Sequence, residues 1–257
     1  MIRLKNEKQI NGIRTSCKML SAMYCELIPL VKPGTQTIEI DQWVRAWIKK
    51  MGGKPVFLGY CPKKTPYPAA ICISINEEVI HGIPSKRRIR EGDLVSLDCG
   101  IDLGGFISDQ AVSVEAGKVS GEIKKLNRIT NECLYLGIEA VKAGERLLQI
   151  ARAVEKHASY NGYGIVEEYC GHGVGLALHE DPHVPNFPHG ANPKMSNGMV
   201  IAIEPMINMG TGNVDNCDDG WTVVTSDGKI SAHWEHTVAI FGGKTEVLTE
   251  RLEDLVF

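Results

Sequence analysis

Two patterns of hydrophobic and polar positions alternate along the chain, one with the period of an α-helix and one with the period of a β-strand. Residues 30–53 and 140–163 each predict the end of a helix, a glycine turn and a second amphipathic helix that a glycine closes. Residues 92–98 (GDLVSLD) and 198–204 (GMVIAIE) alternate in the manner of half-buried strands. This mixture predicts an α+β fold.

The four segments form an internal repeat. The helical segments align with an offset of 110 positions, which places Gly34 on Gly144. Each strand segment runs from a glycine to a carboxylate six positions later, Asp98 in the first and Glu204 in the second. Strand alternation puts each acid on the face opposite the neighbouring apolar side chains. A chance match of similar units is the alternative, and we favour duplication.

Duplication predicts two similar αβ halves, roughly residues 1–120 and 121–257, that join near residues 115–130 and pack about a pseudo-twofold axis. Acids from both halves would then meet where the sheets join. No linker rich in Ser, Pro or Gly separates the halves, so residues 1–257 are expected to form one domain.

Composition and charge narrow the class of protein. The 257 residues are 43% hydrophobic and 23% charged, with a net charge of −3. This balance gives no electrostatic reason to expect a nucleic acid or an anionic membrane as partner. The basic cluster at residues 85–90 (SKRRIR) is interpreted as a solvated loop rather than a phosphate-binding patch.

The lengths of the hydrophobic segments and the spacing of the cysteines indicate the cellular compartment. No segment approaches the ~20 apolar residues of a membrane span, and the polar N-terminus is unlike a signal peptide. The eight cysteines include no CxxC pair, which is typical of a reducing environment. A cytoplasmic protein is therefore expected.

Four carboxylates lie within apolar strand patterns, where an isolated charge is costly. Asp98 and Asp109 flank a glycine pair at 104–105 that predicts a hairpin, so the two acids are expected on paired strands. Glu204 ends VIAIE, and Glu235 lies in SAHWEHTVAI. Because no Lys or Arg lies within these motifs, we expect metal to compensate the charge, most simply two ions that share carboxylates. Four unrelated surface residues are the alternative.

His172, flanked by glycines in YCGHGVG, adds a nitrogen donor to this set. Four carboxylates and one imidazole favour Mn²⁺, Fe²⁺, Co²⁺ or Zn²⁺ over copper. Two such ions about 3.5–4 Å apart would generate a bridging hydroxide for hydrolysis of an amide or a phosphoester. The shortage of basic residues near the acids favours the amide. The pattern alone leaves His179 open, since a lone histidine is more often structural.

The five ligands in this order resemble those of the methionine aminopeptidases. The resemblance extends over about residues 5–250 and is carried by LDCGIDLGGFISD, YCGHGVG, IAIEPM and WEHTVAI. The short gap between His172 and Glu204 is similar to the type 1 enzymes. The resemblance implies the pita-bread fold, a duplicated αβ unit around a central dinuclear metal site. It also implies removal of the N-terminal methionine from new chains when the second residue is small.

The resemblance assigns a role to each ligand. Asp98 and Asp109 would bind one metal. Asp109, His172 and Glu204 would bind the other, and Asp109 and Glu235 would bridge the pair. Glu204 would also serve as the acid–base group for the attacking water.

Further site residues follow from the same resemblance. His179 would stabilise the developing oxyanion of the scissile carbonyl, and His81, in SINEEVIHGIP, would reach the substrate amide and assist proton transfer. Some relatives place Na⁺ or K⁺ near the site, and Asn76 and Ser231 match two of its contact positions. Four residues match positions in or next to the pocket for the methionine side chain: Tyr67, Cys72, Trp221 and Cys61.

The sequence departs from the family pattern at several positions. Leu178 stands where an aromatic residue usually precedes the second histidine, and Lys64 occupies a position that is often tyrosine. Gln110 follows Asp109 where a small hydroxyl residue is common, and residues 65–70 (TPYPAA) are unlike the usual loop. These changes concern the pocket and the surroundings of the metal site.

Two other functions share the fold. An Xaa-Pro aminopeptidase or prolidase has the same five ligands but usually carries an additional N-terminal domain. A non-catalytic binding module usually loses metal ligands, whereas all five are present here. The family also implies a monomer that acts on the N-terminus of nascent or newly made polypeptides. That substrate is compatible with ribosome association, although no motif shows it.

Overall fold

The computed structural model describes residues 1–62 and 65–249. The helices are α1 (Glu7–Leu27), α2 (Thr37–Lys50), α3 (Gly121–Glu139) and α4 (Leu148–Tyr160), with a 3₁₀ turn at Ile28–Leu30. The strands are β1 (Lys54–Pro55), β2 (Cys72–Ile75), β3 (Glu78–Ile80), β4 (Leu94–Leu103), β5 (Phe106–Glu115), β6 (Gly164–Ile165), β7 (Gly171–Gly173), β8 (Glu180–Val184), β9 (Val200–Ile203), β10 (Met206–Asn208), β11 (Val214–Asn216), β12 (Val223–Thr225), β13 (Ser231–His233), β14 (Glu235–Phe241) and β15 (Lys244–Val247).

Local sequence signals explain where the helices begin. At α1, the Asn6 side chain accepts a hydrogen bond from the backbone of Gln9, and the Gln9 side chain accepts one from the backbone of Asn6. This reciprocal cap satisfies two backbone donors at the helix start. At α3, the Ser120 hydroxyl accepts from the backbone N–H of Ile123. No helix among the described residues is long and apolar enough to cross a bilayer.

One antiparallel sheet extends through both halves of the chain. Its strand order is β1-β4-β5-β14-β9-β7-β8, with β2 paired to β4 and β15 paired to β14. The β5–β14 pairing joins a strand of the first half to a strand of the second. Two three-stranded sheets, β13-β10-β6 and β11-β12-β3, complete the described strands.

Equivalent hydrogen bonds occur at matching positions of the predicted repeat. The backbone N–H of Gly34 donates to Ile89 at 2.8 Å, and the N–H of Gly144 donates to Met195 at 2.8 Å. Both glycines have positive φ, 96° and 89°, a conformation that favours glycine. The molecule therefore has two pseudo-symmetric αβ halves. The bounds of the halves and their organisation as a single domain stay predictions.

The helices pack against the apolar face of the sheet. Val95 and Leu97 of β4 are buried in a cluster with residues of α1 and α2, and Ile201 and Ile203 of β9 are buried in a cluster that includes Leu134 of α3. Each such side chain contributes about 1.5–3 kcal/mol when fully buried. Because side chains alternate along a strand, the acids lie on the other face.

Candidate metal centre and active site

The five predicted ligands lie on five neighbouring strands of the large sheet. They are Asp98 on β4, Asp109 on β5, Glu235 on β14, Glu204 directly after β9, and His172 on β7. These strands are consecutive neighbours in the order β4-β5-β14-β9-β7. The site therefore crosses the junction between the two halves.

Strand register brings the acids to one face. Asp98 and Glu235 both lie opposite Ala111 of β5, and Asp109 shares the face of Ala111 because it is two positions away. The register of β14 with β9 places Glu204 opposite Glu235. Acids from three separate parts of the chain thus converge.

The ligand atoms are close together and buried. One atom each from Asp109, His172 and Glu235 lies within 4.8 Å of the other two. The Nε2 atom of His172 is 3.8 Å from Oδ2 of Asp109 and 3.5 Å from Oε1 of Glu204. A single cation placed among these atoms could contact several of them.

The glycines beside His172 allow close approach of the backbone. A Cβ atom on Gly171 would lie 2.3 Å from the carbonyl oxygen of Ala202, and one on Gly173 would lie 2.3 Å from that of Asp181. The Nδ1–H of His172 donates to the Gly173 carbonyl at 2.9 Å. Nε2 is then the unprotonated nitrogen that faces the acids, as a metal ligand requires.

Burial dominates the electrostatics of the site. It raises the pKa of Asp98 to about 7 and that of Glu204 to about 8. Burial, together with the neighbouring carboxylates, holds the pKa of Asp109 and of Glu235 well above its usual range. Burial also lowers the pKa of His172 to about 3. Among the described residues, the ion-pair partners of these carboxylates are His172 and His233, and no Lys or Arg pairs with them.

The donor set fits divalent metal ions. Three buried carboxylate oxygens, Oδ1 of Asp98, Oδ1 of Asp109 and Oε1 of Glu235, have no hydrogen-bond partner among the described residues. Buried acceptors without partners are rare in folded proteins. Oxygen-rich donors with one imidazole suit divalent ions of the first transition row.

The two other predicted histidines line the same cleft, which has a volume of about 680 Å³. His179 lies with its ring centroid 4.2 Å from that of His172, and its Nδ1 is 2.7 Å from the Tyr60 hydroxyl. Burial lowers the pKa of His179, so this imidazole is neutral near pH 7. His81 follows β3 with a φ of 60°, and its ring lies edge-on to Trp221 at 6.1 Å.

An apolar wall lies beside the metal ligands. Tyr67, Cys72 and Leu178 are buried in one cluster with Phe57, and Trp221 packs against it. The Trp221 ring lies edge-on to Tyr67 with centroids 5.1 Å apart. Three of the four predicted pocket residues are thus together.

The place of Cys61 in or next to the pocket stays a prediction. Cys61 is exposed, and the residues lining the cleft include its neighbours Tyr60 and Pro62 but not Cys61. The backbone N–H of Tyr67 donates to the carbonyl of Tyr60 at 2.8 Å. Phe57, three positions before Tyr60, is buried in the apolar wall. Lys64, where the family often has tyrosine, lies outside the described residues.

Comparison with known proteins agrees with the family that the sequence motifs resemble. The model of metallopeptidase family M24 matches residues 11–241. The chain belongs to this family. The methionine aminopeptidase of Treponema pallidum is 53% identical over 255 residues, which are 98% of each chain. A crystal structure of methionine aminopeptidase from Thermotoga maritima is 37% identical with a TM-score of 0.93 and covers 98% of this chain and 100% of that chain. The predicted resemblance and the pita-bread fold are confirmed.

A third relative shows the fold alone. The prolidase of Pyrococcus furiosus is 22% identical with a TM-score of 0.77, and the alignment covers 96% of this chain and 65% of that chain. This chain and that prolidase therefore share the same fold. The Xaa-Pro alternative is not favoured, since the relatives at high identity over the whole chain are methionine aminopeptidases.

Gln110 has a structural explanation in this M24 chain. It is fully buried, its side-chain oxygen accepts from the Ser21 hydroxyl at 3.1 Å, and its backbone carbonyl accepts from the Tyr24 hydroxyl at 2.7 Å. Both partners lie on α1. The longer side chain therefore joins the helix to the strand that carries Asp109.

Three residues near the site were missed from the sequence: Tyr60, Phe57 and His233. His233 is 1% exposed, and its Nε2 is 3.5 Å from Oε2 of Glu204. Spacing could have indicated it, because His233 lies two positions before Glu235 and such positions share a strand face. No local signal distinguishes Tyr60 or Phe57, since only the folded loop brings them to His179 and Cys72.

Proposed function

We propose that this chain removes the N-terminal methionine from polypeptides with two divalent metal ions. The observation that carries the proposal is the convergence of four acids and His172 in the wall of a cleft, with three carboxylate oxygens that have no partner among the described residues. The identity of 53% to a methionine aminopeptidase supports the choice of substrate.

Each ligand has an assigned place in this proposal. Asp98 and Asp109 would hold one ion, and Asp109, His172 and Glu204 would hold the other, with Asp109 and Glu235 shared. Mn²⁺, Fe²⁺, Co²⁺ and Zn²⁺ all suit these donors. Bound divalent ions supply Lewis-acid activation of water and of the scissile carbonyl.

The remaining side chains move protons and orient the substrate. Glu204 accepts the proton of the attacking water and passes it to the leaving amine. The Tyr60 hydroxyl lies 2.7 Å from Nδ1 of His179. In this proposal it donates to Nδ1, so the Nε2–H of His179 is free to donate a hydrogen bond to the oxyanion. His81, between the rings of Tyr169 and Trp221, holds the substrate amide.

The apolar wall receives the methionine side chain. A thioether makes favourable contacts with aromatic rings and with soft apolar groups. Tyr67, Trp221 and Phe57 supply the rings, and Cys72 and Leu178 supply smaller surfaces. Leu178 and Phe57 lie in the same buried cluster, although they are far apart in the sequence.

Other expectations belong to the same proposal. The substrate has a small second residue and is the end of a nascent or newly made chain, met in the cytoplasm by a monomer near the ribosome. Asn76 and Ser231 contribute to a Na⁺ or K⁺ site. In support of that site, the N–H of Ser231 donates to the carbonyl of Asn76 at 2.9 Å, so the two residues are in contact.

The test is peptide cleavage by chelator-treated protein, with and without added Mn²⁺ or Co²⁺. The substrates are Met-Ala-Ser, Leu-Ala-Ser and Ala-Pro-Ser. We expect metal-dependent release of methionine alone. Preferred cleavage of Ala-Pro-Ser would replace the proposal with the proline-specific activity, and no cleavage by metal-loaded protein would favour a binding module.

Glu204→Gln is the matched control for this test. The amide keeps the size of the side chain but cannot accept the proton of water. Turnover should fall by at least about 100-fold, the lower range for general acid–base catalysis, while the fold is retained. Wild-type turnover in this variant would refute the acid–base role of Glu204.

A further inference from the structure

His233 is a buried imidazole that the proposed mechanism does not use. It ends β13, where it pairs with Met206 of β10, two positions after Glu204. Its backbone is fixed on both sides by Ser113, whose hydroxyl accepts from the His233 N–H at 3.0 Å and lies 2.9 Å from the His233 carbonyl. The ring is therefore held in place at the edge of the metal centre.

Two imidazoles bracket the carboxylate of Glu204. His172 Nε2 is 3.5 Å from Oε1, and His233 Nε2 is 3.5 Å from Oε2. Among the described residues, no atom forms a hydrogen bond with the buried Nε2 of His233. A buried polar atom without a partner destabilises the fold, so a partner is expected in the working enzyme.

Two chemical roles are open to this nitrogen, donor or metal ligand. The proposed set of four carboxylates and His172 accounts for both ions without His233, so we take the donor role, and the test below separates it from that of a ligand. A donor needs an acceptor, and Oε2 of Glu204 is the acceptor that faces Nε2. When Glu204 is ionised, as a metal ligand must be, an unprotonated Nε2 would set two lone pairs against each other, so the proton belongs on Nε2.

We propose that His233 is a positioning residue for Glu204: its Nε2–H donates to Oε2 and thereby keeps Oε1 directed at the side of His172. The inference rests on the proposed function, in which Glu204 is both ligand and acid–base group. The distance of 3.5 Å is longer than that of a good hydrogen bond. Catalytic hydrogen bonds are often long before substrate binds and tighten in the complex.

The test compares His233→Leu with His233→Gln in protein loaded with Co²⁺. Leucine keeps an apolar volume but has no donor, whereas the glutamine amide restores an N–H. Loss of a group that orients a metal-site residue typically costs about 10–100-fold. We expect His233→Leu to lower kcat for Met-Ala-Ser by that factor with little change in KM, and His233→Gln to recover most of it. The visible absorption of bound Co²⁺ should shift in the leucine variant at an unchanged ion count.

Each contrary result overturns the inference. Wild-type kcat in His233→Leu would show that the donor is dispensable. An equal loss of kcat in both variants would show that the N–H is not the relevant property. Loss of one bound ion per chain, restored by excess Co²⁺, would make His233 a ligand. If the wild type releases no methionine the proposed function fails, while the Co²⁺ spectrum still decides whether His233 controls Glu204.

Discussion

At the scale of single residues, hydrogen bonds to one ring nitrogen decide what each histidine can do. His172 and His179 lie seven positions apart in one glycine-rich stretch. The Nδ1–H of His172 donates to Gly173, which prepares Nε2 for metal, whereas Nδ1 of His179 faces the Tyr60 hydroxyl. The glycine neighbours of His172 indicated a ligand from the sequence. Nothing local indicated Tyr60, because it lies 119 positions away.

Removal of the Tyr60 hydroxyl should impair catalysis more than binding. In Tyr60→Phe, His179 loses the proposed donor that holds its proton on Nε2, so we expect kcat to fall by roughly tenfold or more, which is less than the about 100–1,000-fold for loss of an oxyanion donor itself. KM should change little. Steady-state kinetics with Met-Ala-Ser measures both.

Tyr169→Phe is the control for this prediction. Tyr169 also lines the cleft, but its hydroxyl bonds to Asn216 rather than to a histidine. Its loss should leave kcat near the wild-type value. Equal kcat in the two variants would contradict the role of Tyr60.

At the scale of elements, alternation and glycine turns predicted the strands that carry the acids. The hairpin around residues 104–105 is confirmed, since β4 and β5 pair over their whole length and bring Asp98 and Asp109 onto neighbouring strands. The backbone pairing of Tyr67 with Tyr60 was not predicted. Hydrophobic patterns report which face is buried, but they carry no information on such a pairing.

The close contact of β7 with β9 can be tested by one methyl group. In Gly171→Ala the new Cβ would meet the Ala202 carbonyl at 2.3 Å, so the strands must separate. Overpacking of this kind costs about 1–3 kcal/mol, and the shift should also weaken metal binding through His172. Thermal unfolding and titration with Mn²⁺ measure the two effects.

Gly121→Ala is the matched control, because a Cβ there meets nothing within 4 Å. It should retain the stability and the metal affinity of the wild type. The steric explanation would be wrong if the alanine at 171 were tolerated as well as the one at 121.

At the scale of the whole molecule, the two halves place four acids in one buried site. Because these acids can bind protons or metal ions, the stability of the fold depends on pH and on metal. Asp98 and Glu204 have folded-state pKa values of about 7 and about 8, raised by burial. A carboxyl group whose pKa is raised on folding stabilises the folded state at low pH, and this stability is lost as the pH rises through the folded-state pKa. His172, whose pKa is lowered to about 3, contributes stability above its ordinary pKa and loses it as pH falls.

Metal should therefore stabilise the protein more at pH 8 than at pH 5.5. At pH 8 the acids of chelator-treated protein are forced to ionise without compensation, whereas at pH 5.5 they keep protons that compete with metal. We expect a larger rise in Tm on addition of Mn²⁺ at pH 8. Melting curves with chelator and with Mn²⁺ at both values test this, and an equal rise at both would show that the acids are not the metal ligands.

The sequence by itself determined the repeat, the paired strands and the set of acids with His172, because periodicity, glycine turns and desolvation of charge act locally along the chain. The tertiary structure decided which side chains complete the site. Tyr60 and Phe57 come from one loop, and His233 comes from a short strand beside Glu204. Their roles depend on distances between segments far apart in sequence. Packing and strand register set those distances, and no local pattern encodes them.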